Sequence, residues 1–208
     1  MAPPQPILVF PCNGNGLEAL ACLGDAYRCV GFVDDTPAKQ DREVYGIPVF
    51  SRDAFTARPD ALVLAVPGSP TSYRTRGAVV EGLGLPVERF ARVIHPAARV
   101  SPLAVIGHNV LVMAGVVITS NAVVGDHVLI MPNTVVHHDV ALRAWSLIGA
   151  NVTIAGGTTV GENCYVGSGS SVMNGLSLGA GALVGMGSTV IRDVPAGARV
   201  AGTPARSI

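Results

Sequence analysis

Residues 122–148 read AVVGDHVLIMPNTVVHHDVALRAWSLI, and the spacing of their branched aliphatics decides the fold. Val124, Ile130, Val136, Leu142 and Ile148 fall six residues apart. Stepping outward by six meets Val100, Ile106, Val112 and Ile118 on one side, then Ile154, Val160, Val166, Val172, Leu178, Val184 and Val190 on the other. All sixteen are branched aliphatics. Two residues before most of them the side chain is small or β-branched: Ala104, Val110, Val116, Ala122, Val128, Thr134, Val140, Ser146, Val152, Thr158, Cys164 and Ser170. The residue after is often glycine, as at Gly107, Gly125, Gly149, Gly161, Gly167, Gly179 and Gly185. An α-helix, with about 3.6 residues per turn, cannot hold a period of six. An antiparallel sheet would alternate at every second residue. Six residues suit one flat face and one corner, and three faces close a triangular coil of eighteen. The aliphatics then point inward and stack from coil to coil at about 4.8 Å. Residues 93–195 are therefore expected to form a parallel β-helix, followed by a tail at 196–208.

Residues 1–92 have a different texture. ILVF (7–10) reads as a short buried strand, and NGNGLEALACLG (13–24) as a glycine turn entering a helix with Leu17, Leu20 and Ala21 on one side. CVGFVDD (29–35) and ALVLAVPG (61–68) read as further strands, and TSYRTRGAVVEGLG (71–84) as a helix ending at glycine. Strand–helix–strand alternation of this kind implies a small parallel, Rossmann-like α/β sheet. Ligands of such sheets sit beyond the carboxyl ends of the strands, where Asn13, Gly14, Asn15, Asp34, Asp35 and Gly68 fall. The glycine turn can offer N–H groups to a phosphate, and the acids can accept from a ribose or a base. PCNGNG is an incomplete nucleotide-binding fingerprint, and a tight structural turn with solvated carboxylates is the plainer alternative.

Composition excludes several classes. Charged residues are 13% and the formal net charge is zero, so there is no basic excess to hold nucleic acid or an anionic membrane. No apolar run approaches the roughly 20 residues of a membrane span. The start, MAPPQPILVFPCNG, lacks a basic segment followed by a long apolar one, so no signal peptide and a cytoplasmic location are expected. Cys12, Cys22, Cys29 and Cys164 show no close-spaced metal or redox pair and are expected to be buried thiols.

TVVHHDVA (134–141) places His137, His138 and Asp139 in otherwise aliphatic surroundings. The register makes Val136 inward, so both histidines fall at a corner, where a polar group stays wet or meets a neighbouring subunit. A histidine there can act as a general base near neutral pH. It can equally be an ordinary solvated corner residue.

These features together resemble the hexapeptide-repeat sugar acetyltransferases of the sialic acid O-acetyltransferase and bacillosamine N-acetyltransferase type. The resemblance covers nearly the whole chain: NGNG, FVDD, VIHPAARVSP (93–102), NTVVHHDV (133–140), VMNGLSLG (172–179) and GTPAR (202–206). It implies a left-handed β-helix, a homotrimer with active sites at subunit interfaces, and acetyl-CoA as co-substrate with no metal. It also implies transfer to a nucleotide-linked amino sugar in surface glycan synthesis. By that motif His138 is the general base, followed by Asp139, with His137 a bystander. CoA is expected along a groove at Leu147, Gly156, Ser168, Met186 and Gly187, with Arg206 near a phosphate. Three departures from the family pattern stand out: Leu147 replaces a second histidine, Pro11 a usual glycine, and Asn15 a usual histidine.

Other functions fit the same residues. A sugar O-acetyltransferase would need only a different nucleophile. A zinc hydratase on the same coil could draw on His108, His127, His137 and His138 from two subunits, although His108 and His127 are 19 apart and do not stack. A non-catalytic nucleotide-sensing scaffold is the third alternative.

Overall fold

The computed structural model describes residues 3–208. The amino-terminal part runs β1 (Gln5–Phe10), α1 (Gly14–Leu20), β2 (Tyr27–Val33), β3 (Arg42–Val44), β4 (Ile47–Phe50), α2 (Ala54–Ala57), β5 (Leu62–Ala65) and α3 (Arg76–Glu81). The sheet order is β3-β4-β2-β1-β5, parallel except for the β3–β4 hairpin. The hairpin was not anticipated, because its two-residue turn is Tyr45–Gly46. Both residues have positive φ (54° and 72°), the hairpin geometry usually announced by Asn-Gly or Asp-Gly. The helix expected over 71–84 is shorter and split into a 3-10 turn at Tyr73–Thr75 and α3. In α1 and the turn after it the expected apolar side is rotated: Gly16, Ala19, Cys22 and Leu23 are buried, Leu17 and Leu20 half-buried, and Ala21 exposed.

From Arg92 onward the chain winds into three parallel sheets. One face stacks Arg99–Val100, Val117–Ile118, Val135–Val136, Thr153–Ile154, Ser171–Val172 and Thr189–Val190. The second face runs from Val105–Ile106 to Ser177–Leu178, and the third from Arg92–Ile94 to Leu183–Val184. Strand partners are one coil apart, Val136 pairing with Ile118 and Ile154. Every sixth-position aliphatic except Val100 and Ile106 is at most 2% exposed. Those two sit in the first coil, which has no coil before it on those faces to cover them. Burying each such side chain contributes about 1.5–3 kcal/mol relative to exposure. The inward polar residues are satisfied: Thr134 Oγ1 donates to Gly149 O (2.6 Å) and Ser146 Oγ to Gly161 O (2.8 Å).

The α/β unit lies on the outer surface of the third face, where Leu111, Leu129 and Leu147 join the cluster of Ile7, Val9, Ala19 and Leu64. Residues 199–208 extend that face, since Arg199–Gly202 pairs with Leu183–Val184 and folds back on Ala205–Ser207. The corner holding residues 137–139 joins the first and second faces. It is the vertex opposite the face that carries the α/β unit of its own chain.

Candidate active site

From Asn109 to Gly187 each corner turns through one left-handed residue, usually Asn or Gly, and Asp139 occupies that position with φ 59°. Aspartate tolerates this region better than most residues. The turn sets its carboxylate between two donors. Asp139 Oδ2 lies 2.8 Å from His138 Nδ1, and Asp139 Oδ1 accepts from Asn121 Nδ2 at 3.1 Å, one coil earlier. The His138 hydrogen bond first, and the Asn121 amide second, hold the Asp139 carboxyl below the ordinary carboxylate range. With Nδ1 engaged, Nε2 is left free to accept a proton.

His138 is solvent-accessible, its side chain 64% exposed. Its ring rests over Gly156 in the next coil, where an added Cβ would come within 2.6 Å of both Cε1 and Nε2. The N–H of Gly156 has no partner among the described residues, whereas the flanking Ala155 and Gly157 donate to Val172 O and His138 O. An imidazole nitrogen and an unpaired backbone donor thus share one corner. That pairing can take a proton from a nucleophile and stabilise an oxyanion. His137 is half-buried beside them and makes no side-chain hydrogen bond among the described residues.

Ser168, Met186 and Gly187 fall on a different corner, at the other edge of the first face. Ser168 Oγ accepts from Ala150 N at 3.1 Å, Met186 is 73% exposed, and the space beside Gly187 is open. Arg206 is exposed and, among the described residues, donates only to Ala205 O. Leu147 corrects the expectation of a cofactor contact. It is 4% exposed and packed between the two parts of the chain, against Gly68, so its side chain does not line an open groove.

At the carboxyl ends of the α/β strands, Asn15 Nδ2 donates to Val66 O and Gly68 O, both at 3.2 Å, tying the β1–α1 turn to the end of β5. Asn13 accepts from Gly16 N at 3.0 Å and caps α1, while Gly14 has open space around it. Asp34 is a second correction. It is 3% exposed, and its two oxygens are taken by Thr36 N and Lys39 Nζ, both at 2.9 Å. Burial opposes its ionisation, but Lys39 and the Thr36 N–H outweigh burial and lower its pKa. At this burial it holds the loop after β2 rather than facing an open cleft. Asp35 is half-exposed in a bidentate pair with Arg52 (2.6 and 2.7 Å).

Sequence reasoning missed the contact between Arg76 and His127. Arg76 is 2% exposed and donates from Nε to Pro67 O (2.9 Å) and from Nη1 to His127 O. His127 stacks flat on Trp145 (3.8 Å, 2°) and lies 2.9 Å from Asn109 Nδ2, which also holds Ala65 O. The signal was present: His127 and Trp145 occupy left-handed corner positions where Asn and Gly prevail. Among the described residues no three His, Cys, Asp or Glu side chains converge as a metal would require, and no helix is long and apolar enough to cross a membrane.

Residues 121–156 match the family described as bacterial transferase hexapeptide (six repeats), and 144–173 and 157–192 match the hexapeptide repeat of succinyl-transferase. The sequence has no match among curated proteins. Solved structures are similar over the full length. The acetyltransferase domain of PglB from Neisseria gonorrhoeae FA1090, in complex with acetyl coenzyme A, is 28% identical with a TM-score of 0.85. That alignment covers 99% of this chain and 100% of that one. PerB from Caulobacter crescentus, in complex with CoA and GDP-perosamine, is 29% identical with a TM-score of 0.84, covering 100% and 98%. WeeI from Acinetobacter baumannii AYE shares the fold at 23% identity and a TM-score of 0.83, covering 97% and 99%. The repeats are similar to those of bacterial hexapeptide transferases, and the two-part layout, an α/β unit followed by a left-handed β-helix, is similar to that of the PglB acetyltransferase domain.

Proposed function

We propose that this chain transfers the acetyl group of acetyl-CoA to the amine of a nucleotide-linked amino-deoxy sugar, in the synthesis of a surface glycan. The observation that carries the reading is the array Asn121–Asp139–His138 over Gly156. The sugar amine attacks the thioester carbonyl while His138 Nε2 takes its proton. Asp139 holds the ring and favours the imidazolium that forms. The Gly156 N–H faces the developing oxyanion. Collapse breaks the carbon–sulfur bond, and the imidazolium returns the proton to the departing thiolate. No covalent enzyme intermediate is needed.

The acceptor would lie at the strand ends, between Asn13, Gly14, Asn15, Asp35 and Gly68. CoA would run along Gly156 on one chain and Ser168, Met186 and Gly187 at a facing corner, with Arg206 on the terminal strand of the third face. Because His138 occupies the vertex opposite its own α/β unit, one chain does not bring base and acceptor together. A homotrimer does so at each seam. Holding both substrates there supplies the proximity that a bimolecular reaction in solution lacks.

The test is a panel of UDP-, GDP- and dTDP-linked amino sugars and free sialic acid, each incubated with acetyl-CoA and followed by mass spectrometry. Acetylation of one nucleotide-linked amine supports the reading. Acetylation of hydroxyls alone favours the O-acetyltransferase. A monomer by light scattering that nonetheless turns over would contradict the seam.

A further inference from the structure

We infer that Arg76 is a positioning residue that sets the Pro67–Gly68 peptide so that the Gly68 N–H is presented to the phosphates of a bound nucleotide sugar. The inference rests on the nucleotide-sugar reading above. Arg76 opens α3, is 2% exposed, and makes no ion pair among the described residues. A buried guanidinium without a carboxylate is costly to keep, and its donors go to two carbonyls, Pro67 O and His127 O. Pro67 O and the Gly68 N–H belong to one planar peptide, and this bond is not among the cis bonds of the chain. In a trans peptide the N–H points away from the C=O. A cation on the oxygen side therefore aims the N–H to the opposite side. It also draws electron density toward the oxygen and makes the N–H a stronger donor.

The Gly68 N–H has no partner among the described residues, while the Gly68 carbonyl is already held by Asn15 at 3.2 Å. The peptides on both sides of the Gly68 α-carbon are thus pinned, one by Arg76 and one by Asn15, and a single donor is left over. Gly68 has φ 128°, and a Cβ there would lie 3.0 Å from Leu147 Cδ1 and 3.3 Å from Arg76 Cδ. A side chain there would be strained by that φ and would press first on Leu147 and then on the Arg76 side chain. The far end of the clamp is rigid, because His127 is fixed by the Trp145 stack and the Asn109 amide. A lysine would not serve, since one ammonium cannot reproduce the planar fork that reaches both carbonyls.

Arg74 provides the control. It braces the same segment by donating to Gly181 O and Gly197 O, both at 2.9 Å, without touching the Pro67–Gly68 peptide. UDP, GDP and dTDP are titrated calorimetrically into the wild type, Arg76→Gln, Arg76→Lys and Arg74→Ala, with acetyl-CoA as the control ligand. The expected result is a loss of tenfold or more for the best nucleotide in both Arg76 variants. Arg74→Ala should lose less than threefold, and acetyl-CoA affinity should hold throughout. Unchanged nucleotide binding in the Arg76 variants, or an equal loss in Arg74→Ala, overturns the inference and leaves the nucleotide reading intact. A wild type that binds none of the three overturns both. Should Arg76→Gln unfold by circular dichroism, Arg76→Lys carries the comparison at the same threshold. A ligand-free readout stands beside it: the Gly68 amide proton in glycine-labelled protein should move upfield in Arg76→Lys and stay in Arg74→Ala. No movement in Arg76→Lys also overturns it.

Discussion

The imidazole of His138 lies against the bare α-carbon of Gly156, one coil further on, so closely that a methyl group there would meet Nε2 at 2.6 Å. Gly156 does not have the positive φ of its neighbour Gly157 (70°), so alanine is compatible with its backbone. Gly156→Ala should therefore leave the coil intact and push the ring off its seat. Turnover is expected to fall about 100-fold or more, as when a general base is misplaced, with the melting temperature within about 2 °C of wild type. Normal turnover in a folded Gly156→Ala protein would show that the ring position is immaterial.

Asp139 accepts from His138 and Asn121 together. Asparagine also tolerates a φ of 59°, so Asp139→Asn removes the charge and keeps the turn. We expect kcat to fall about 10- to 100-fold, less than the loss of the base itself. Asn121→Ala, which removes the outer partner only, should cost less. Steady-state kinetics on the two variants checks the order, and a larger loss from Asn121→Ala would reverse the assignment.

Burial first, and the Arg76 guanidinium second, push the His127 imidazole down to about 4; Asp126 raises it and His108 lowers it further. Asn109 Nδ2, already donating to Ala65 O, faces His127 Nδ1 as a donor, so the folded chain holds the neutral ring. Unfolded, the same ring titrates near 6.5. The unfolded state therefore binds more protons between these values. The stability is fully present above about 6.5 and is lost as pH falls toward 4, roughly 3 kcal/mol in all. Urea midpoints from pH 7 to 4 should show this slope, and His127→Phe should flatten it. An unchanged slope in that variant would place the dependence elsewhere.

Ile148 is fully buried and stacks between Ile130 and Val166 in the third ladder. Ile148→Ala should cost about 2–5 kcal/mol, because neighbouring coils cannot close the cavity without breaking their own register. Chemical denaturation measures it, and a loss under about 1 kcal/mol would mean that the prism relaxes far more than its hydrogen-bonded coils suggest.

The β-helix was legible because one rule repeats: each sixth residue must be aliphatic, and fourteen coil-stacked positions from Val112 to Val190 are buried as that rule requires. The corner location of His138 followed from the same register. The α/β unit was harder, since its order rests on single turns. Tyr45–Gly46 gave a weak hairpin signal, and the fate of Asp34 depended on Lys39 and Thr36 folding back on it. The burial of Leu147 was not legible, because the resemblance and the register place it only on an outer face. What it faces is the other domain, a non-local fact. The Arg76–His127 contact joins residues 51 apart; the repeat marks its His127 end, where a histidine stands at a left-handed corner, but nothing periodic marks Arg76.

The central claim is that the free nitrogen of His138 removes the proton in acetyl transfer. The most direct measurement is turnover of His138→Ala with acetyl-CoA and the acceptor found in the panel, alongside its affinity for acetyl-CoA. The side chain is 64% exposed, so the account predicts a folded protein that binds acetyl-CoA normally with kcat reduced by about 100- to 10,000-fold. A kcat within threefold of wild type would contradict it.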